Sequence, residues 1–205
     1  HGVAVRSSSP AEDLRQHSFA GLYESVLDVR DEAGFLDAVR LCWASYWSDA
    51  AAMYRERVGI PHHAYGMALL VQAMVRPALA GVLFTQAPGE RRDVAAIEYV
   101  AGLGDSLVNG DVRGERLLVE RSSGRLLSDP PAGEPMDLSR LLALGYRLEA
   151  HQGAPQDVEW AVDPAGDLWV LQTRAITTPA GLAPVVGGAA EDGWSLTYDE
   201  PFSTL

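Results

Sequence analysis

The chain has 205 residues, 47% of them hydrophobic and 21% charged, the composition of an ordinary globular protein with room for one sizeable core or for one domain and an extension. A formal net charge of -12 and a pI near 4.7 argue against a nucleic-acid or anionic-membrane surface. All of its positive side chains are arginines, since lysine is absent, and a single cysteine, Cys42, excludes an internal disulfide and a cysteine-based metal cluster, which suits a reducing, cytoplasmic setting. No apolar run reaches transmembrane length and no signal peptide is visible.

The chain opens on His1-Gly2 and runs into Val3-Ala4-Val5-Arg6, which reads as a buried strand and suggests a piece of a longer polypeptide. Arg6-Ser7-Ser8-Ser9-Pro10 then delivers a guanidinium and three hydroxyls to a loop, either an ordinary turn or a phosphate contact: arginine suits planar bidentate recognition, and small residues let backbone N–H groups approach closely. Val26-Leu27-Asp28-Val29 is strand-like. From Asp31 to about Val58 the apolar residues Phe35, Leu36, Val39, Cys42, Trp43, Tyr46 and Trp47 recur at helical spacing, so the aromatics are expected in the core; a second helix starts near Ser48 or Asp49.

Met67 to Val75 is an apolar, strand-like run with Gln72 as its one polar side chain. A glutamine in a buried strand needs partners, and either neighbouring backbone or the adenine edge of a nucleotide would serve. Ala80 to Thr85 and Ala95 to Val100 read as further strands, the latter carrying Glu98, a candidate carboxylate, into a glycine-punctuated loop over 102–110. Glu115 to Glu120 is a strand, 128–135 an exposed loop, and Asp137 or Ser139 starts an amphipathic helix to about His151. Beyond Thr178 the composition shifts to Gly, Ala and Pro, which predicts a domain over 1–178 and a linker or extension over 179–205.

The organising stretch is a predicted β-hairpin, Asp157 to Val162 and Leu168 to Arg174 around Pro164 and Gly166. Alternation puts Asp157, Glu159 and Ala161 on one face and Val158, Trp160 and Val162 on the other, while Gln172 and Arg174 share a face. Paired in register, one face would collect two carboxylates, an amide and a guanidinium. A divalent cation on Glu159 and Gln172, with Arg174 reaching toward phosphate oxygens, would satisfy that set. An exposed sheet face with an ordinary Glu–Arg cross-strand pair is the alternative.

Several segments in order carry a resemblance: Val3-Ala4-Val5-Arg6-Ser7-Ser8-Ser9-Pro10-Ala11-Glu12-Asp13, Ser18-Phe19-Ala20-Gly21, Leu70-Val71-Gln72-Ala73-Met74-Val75, Gly102-Leu103-Gly104, Gln156-Asp157-Val158-Glu159-Trp160 and Leu171-Gln172-Thr173-Arg174-Ala175-Ile176-Thr177. Residues 3 to 178 resemble the nucleotide-binding domain of the phosphoenolpyruvate synthase and pyruvate phosphate dikinase family, which includes the rifampicin phosphotransferases. The resemblance implies an α+β, ATP-grasp-like fold, of which this chain holds the C-terminal part. It implies ATP and Mg2+ as ligands, Arg6 on phosphate, the Ser18–Gly21 loop over the phosphates, and Gln72 at the adenine end. Glu159 and Gln172 would hold magnesium, and Arg174, supported by Asp157, would stabilise the transferred phosphate. It also implies partners: a preceding subdomain that contributes a lysine, and a swivelling domain whose histidine takes the phosphate. His17, His62, His63 and His151 do not sit in that domain's pattern, and Ala175 stands where the family usually has proline. A phosphotransferase in the intact protein, inactive as this chain alone, is the expectation; a non-catalytic nucleotide-binding module, or half of a split enzyme, is the alternative.

Overall fold

The computed structural model describes residues 2–10, 13–14, 17–18, 22–102, 114–129 and 136–176, with backbone alone at 13–14 and 17–18. Gly21, most of the glycine-punctuated loop, most of the 128–135 loop and the 179–205 extension lie outside the described residues. The chain is α+β. Two antiparallel sheets, of three and five strands, follow each other through residues 74–78, each with its own helices, and a two-stranded ladder pairs β2 (Asp13–Leu14) with β3 (His17–Ser18).

The first sheet has the order β4-β1-β5, with β1 Val3–Ser8, β4 Ser25–Val29 and β5 Ala68–Ala73. Helix α1 (Glu32–Ser45) begins where the Asp31 side chain accepts from the Gly34 N–H at 2.8 Å, and buries Ala38 and Cys42 against Val5 and Val29. Because side chains alternate along β1, the strand that points Val5 at this helix points Arg6 the other way. Helix α2 (Asp49–Arg57), capped by Ser48, closes a second small cluster around Tyr23, Tyr46 and Ala51.

Two expectations fail in this half. Trp43 and Trp47 are not core: they are 51% and 63% exposed, because α1 buries the stripe through Ala38, Cys42 and Ser45, Trp43 lies on the neighbouring stripe, and Trp47 follows the end of the helix. β5 is not a buried strand either. It is an edge strand with Leu70 and Val71 about half exposed, and Gln72 is half-buried. The desolvation argument for Gln72 therefore lapses. Its position on the Arg6 face of the sheet, opposite Ala4, remains.

The second sheet has the order β10-β9-β6-β7-β8: β6 Leu79–Phe84, β7 Val94–Ala101, β8 Glu115–Glu120, β9 Gln156–Val162 and β10 Leu168–Ala175. β6 is its centre and reads as unbroken apolar sequence because both of its faces are covered. One face packs Leu83, Ile97, Leu117, Val158 and Trp160 against Leu141 and Leu142 of α3 (Leu138–Gln152), which Asp137 caps by accepting from the Arg140 N–H at 3.0 Å. The ring of Trp160 occupies the space a side chain at Gly81 would need, a Cβ there lying 2.8 Å from Trp160 Cζ2. The opposite face carries Val82, Phe84 and Ala96, and with them the polar residues of the hairpin.

Candidate functional site

Two cross-strand rows build the site. Glu98, Val82, Glu159 and Gln172 form one row across β7, β6, β9 and β10; Ala96, Phe84, Asp157 and Arg174 form the next. The hairpin achieves this only through an irregularity. Val170 pairs with Trp160, yet Gln172 pairs with Glu159, so Leu171 is an extra residue in β10. Such a bulge shifts the strand by one and reverses which side chains share a face. With a regular ladder Leu171 and Thr173 would stand opposite Glu159 and Asp157; the bulge installs Gln172 and Arg174 instead.

The face is buried. Asp157 and Glu159 are 6% and 2% exposed, which overturns the reading of an exposed sheet face with an ordinary Glu–Arg pair. The cross-strand ion pair joins Arg174 to Asp157, with Nε and Nη2 at 2.7 and 2.6 Å from Asp157 Oδ2. Asp157 Oδ1 is buried with no hydrogen-bond partner among the described residues. Burial pushes the Asp157 carboxyl above its ordinary range against the pull of Arg174, and burial likewise raises Glu98, opposed by the Arg116 guanidinium 3.2 Å away.

Glu159 pairs across the two sheets. Arg6 Nη2 donates to Glu159 Oε2 at 2.9 Å, and the same nitrogen donates to Gln172 Oε1. Arg6 is itself 7% exposed. Three of the residues singled out from sequence thus meet at one nitrogen, with chain separations of 153 and 166 residues. Asp157 and Arg174 stand in the adjacent row, and Gln72 lies two residues along β5 from the Arg6 partner Leu70. Ser18 lies in β3, where only the backbone is described, and Gly21 is outside the described residues.

The donor set suits a hard cation. One carboxylate and one amide oxygen converge on a single point that already holds a positively charged nitrogen, and magnesium typically takes one or two carboxylates and completes its shell with water and phosphate. Among the described residues no group of three His, Cys, Asp or Glu side chains forms an all-protein cage.

The sequence reading missed Gln156 as a positioning residue. Fully buried, it receives a hydrogen bond from Thr173 Oγ1 at 2.9 Å, while its backbone N–H donates to Thr85 Oγ1 at 2.8 Å, tying β9 to β10 and β6 where the site row begins. It also passed over Arg55, which is wholly buried, stacks 4.2 Å over the Tyr46 ring and donates to His62 Nδ1 at 3.2 Å. An arginine at a helical i+4 position looks solvent-facing in sequence, so nothing signalled either its burial or the histidine that receives it.

Comparison with known proteins meets this geometry. The family model described as "Pyruvate phosphate dikinase, AMP/ATP-binding domain" matches residues 1–134 and 134–183, and the chain belongs to that family. It is 36% identical over 203 residues to a probable phosphoenolpyruvate synthase of Methanothermobacter thermautotrophicus, a match covering 86% of this chain and 30% of that protein. A rifampicin phosphotransferase of a Streptomyces species is 38% identical over 203 residues, covering 85% of this chain and 23% of that protein. The phosphoenolpyruvate synthase of Pyrococcus furiosus is 32% identical, covering 86% and 26%. The chain therefore matches only 23% to 30% of the length of these relatives. Among the described residues no helix is long and apolar enough to cross a membrane.

Proposed function

We propose that this chain is the C-terminal part of an ATP-grasp nucleotide site, binding Mg–ATP between its two sheets, and that the intact protein passes phosphate from ATP to a histidine on a separate domain. The observation that carries the reading is the convergence of Arg6, Glu159 and Gln172 from different sheets, beside the Asp157–Arg174 pair, in a chain of an AMP/ATP-binding family.

In this reading Glu159 and Gln172 hold Mg2+ through Oε oxygens, Arg6 binds phosphate, and the Ser18–Gly21 segment covers it. Gln72, on the Arg6 face, lies at the adenine end. Magnesium, when bound, neutralises developing charge on the phosphate oxygens. Arg174 supplies the protein's own positive charge there, and Asp157 fixes the guanidinium by holding Nε and Nη2 together. Phosphoryl transfer asks mainly for positioning and charge stabilisation, so a side chain oriented beforehand costs no reorganisation at the moment of reaction. The site domain covers 1–178, and 179–205 leads toward a further domain. The lysine and the phosphorylated histidine come from that larger protein, which acts as a phosphotransferase of the phosphoenolpyruvate synthase or rifampicin phosphotransferase type; this chain alone does not turn over. A reducing, cytoplasmic setting belongs to the reading, supported by a single cysteine, buried at Cys42.

Calorimetric titration of ATP into the chain, with and without magnesium, tests the proposal. Magnesium-dependent binding is the expected result. Heat that does not depend on magnesium overturns the metal roles, and no binding to the intact protein overturns the whole.

A further inference from the structure

The contact at the centre of the site has a second meaning, which rests on the proposed nucleotide function. Arg6 Nη2 donates to both Glu159 Oε2 and Gln172 Oε1, so a protein cation already occupies the point on which the two oxygens converge. A magnesium ion would need those oxygens at roughly 2.0–2.1 Å. The nitrogen stands 2.9 Å from Glu159 Oε2, and two cations cannot share that point. Arg6 must therefore leave before a metal enters.

Leaving is difficult for each partner alone. Arg6 is 7% exposed, so a guanidinium displaced from Glu159 and Gln172 would remain a buried charge without its partners. Free metal would take Glu159 and strand the guanidinium. Free polyphosphate would take the guanidinium and remove its charge from beside Glu159. A metal–polyphosphate complex supplies both replacements at once.

We infer that Arg6 is a built-in surrogate cation that closes the Glu159–Gln172 site to free divalent metal, so that metal and polyphosphate bind as a coupled pair through exchange of partners. The ligand class is thus the preformed metal complex of a nucleoside polyphosphate. Coupling of this kind is reciprocal: polyphosphate raises metal affinity by the same factor as metal raises polyphosphate affinity. Arg6 is then both a phosphate ligand and the residue that sets the order of binding.

The test reads binding rather than turnover. Mn2+ replaces magnesium, its free fraction followed by its paramagnetic signal, and tripolyphosphate replaces the nucleotide. On the full chain, wild type should bind Mn2+ alone at least about tenfold more weakly than with tripolyphosphate present. Arg6→Met should bind Mn2+ alone at least about tenfold more tightly than wild type does, having lost the competing cation. Mn2+ alone should also raise the melting temperature of Arg6→Met and leave that of wild type unchanged. Equal affinity of wild type for Mn2+ with and without tripolyphosphate overturns the inference, and needs no variant to fold. If Mg–ATP binds while Mn2+ alone binds both proteins equally, the exchange is wrong and the nucleotide site stands. If Mg–ATP does not bind, the proposed function falls first.

Discussion

Gln172 stands directly opposite Glu159 across the β9–β10 ladder, and it does so because Leu171 is an extra residue between Gln172 and Val170. The same bulge sets Arg174 opposite Asp157, where the two form an ion pair at 2.6 Å. One unpaired residue therefore decides whether a buried face carries Gln and Arg or Leu and Thr.

Two single-residue deletions separate that role from simple damage to the strand. Deleting Leu171 makes the ladder regular and keeps Gln172 opposite Glu159 and Arg174 opposite Asp157, so Mg–ATP affinity should change by less than about tenfold, or 1.4 kcal/mol. Deleting Thr173 leaves Gln172 in place but moves Arg174 opposite Val158, turning a guanidinium toward the Trp160 core. That variant should lose cooperative unfolding. Equal tolerance of both deletions, seen in urea melts and titrations, would contradict the register argument.

Glu159→Gln should abolish the magnesium dependence of nucleotide binding, because an amide replaces the carboxylate of the cation site. The change also weakens the counter-charge of a buried Arg6, so stability should fall by up to about 3 kcal/mol, the low end for a broken buried pair. Calorimetry and a urea melt read the two effects separately. Unchanged metal dependence would remove Glu159 from the cation site.

Arg174→Ala in the intact protein should cut phosphoryl transfer by about 10²–10³, the cost of losing one oriented donor, with a much smaller loss of ATP affinity. The split between single-turnover rate and nucleotide Kd is the measurement. Equal losses in both would mean that Arg174 holds the bound nucleotide and does nothing more for the transition state.

Glu98 predicts a pH dependence of stability. Burial raises its carboxyl above the ordinary 4.5, Arg116 opposes that, and the Asp157 charge adds to it. The folded state therefore holds this proton where the unfolded chain has released it. Its contribution is fully present below pH 4.5 and is lost as pH rises through the folded value. Thermal melts over that window should show wild type losing stability relative to Glu98→Gln as pH climbs. A constant difference between the two proteins would show that Glu98 titrates normally.

Gly81 and Gly145 predict a graded pair. An alanine Cβ at Gly81 would lie 2.0 Å from the Glu98 carbonyl oxygen and 2.9 Å from Tyr99 Cα, both backbone atoms of β7. At Gly145 the nearest atom, 2.4 Å away, is the tip of the Leu83 side chain, which can rotate. Gly81→Ala should cost more than the usual 1–3 kcal/mol of overpacking, and Gly145→Ala about that much or less. Urea midpoints decide it, and the reverse order would mean that β6 and β7 separate more easily than α3 shifts.

Part of the site is legible in local sequence because its cause is local. Alternation in Asp157-Val158-Glu159-Trp160 fixes which side chains share a face, whatever the strand packs against, and Trp160 and Val158 do fill the core while Asp157 and Glu159 face away from it. Capping residues likewise announced the starts of α2 and α3 to within two candidates each, Ser48 or Asp49 and Asp137 or Ser139, and Ser48 and Asp137 are the caps. The ordered motifs were sufficient to indicate the family.

Burial was less legible, since it depends on what each element packs against. An apolar run at 67–75 looks the same in sequence whether its strand is central or at an edge, and Trp43 of α1 looks like core until the helix chooses its buried stripe. The decisive contacts lie further out of reach. Whether β10 takes a bulge is settled by its ladder with β9, and Arg6 reaches Glu159 across 153 residues only because the two sheets meet. Sequence by itself determined the chemical groups and the faces they share. Tertiary structure alone decided that three of them converge on one nitrogen, because the position of that nitrogen is set by packing between elements that no local pattern relates.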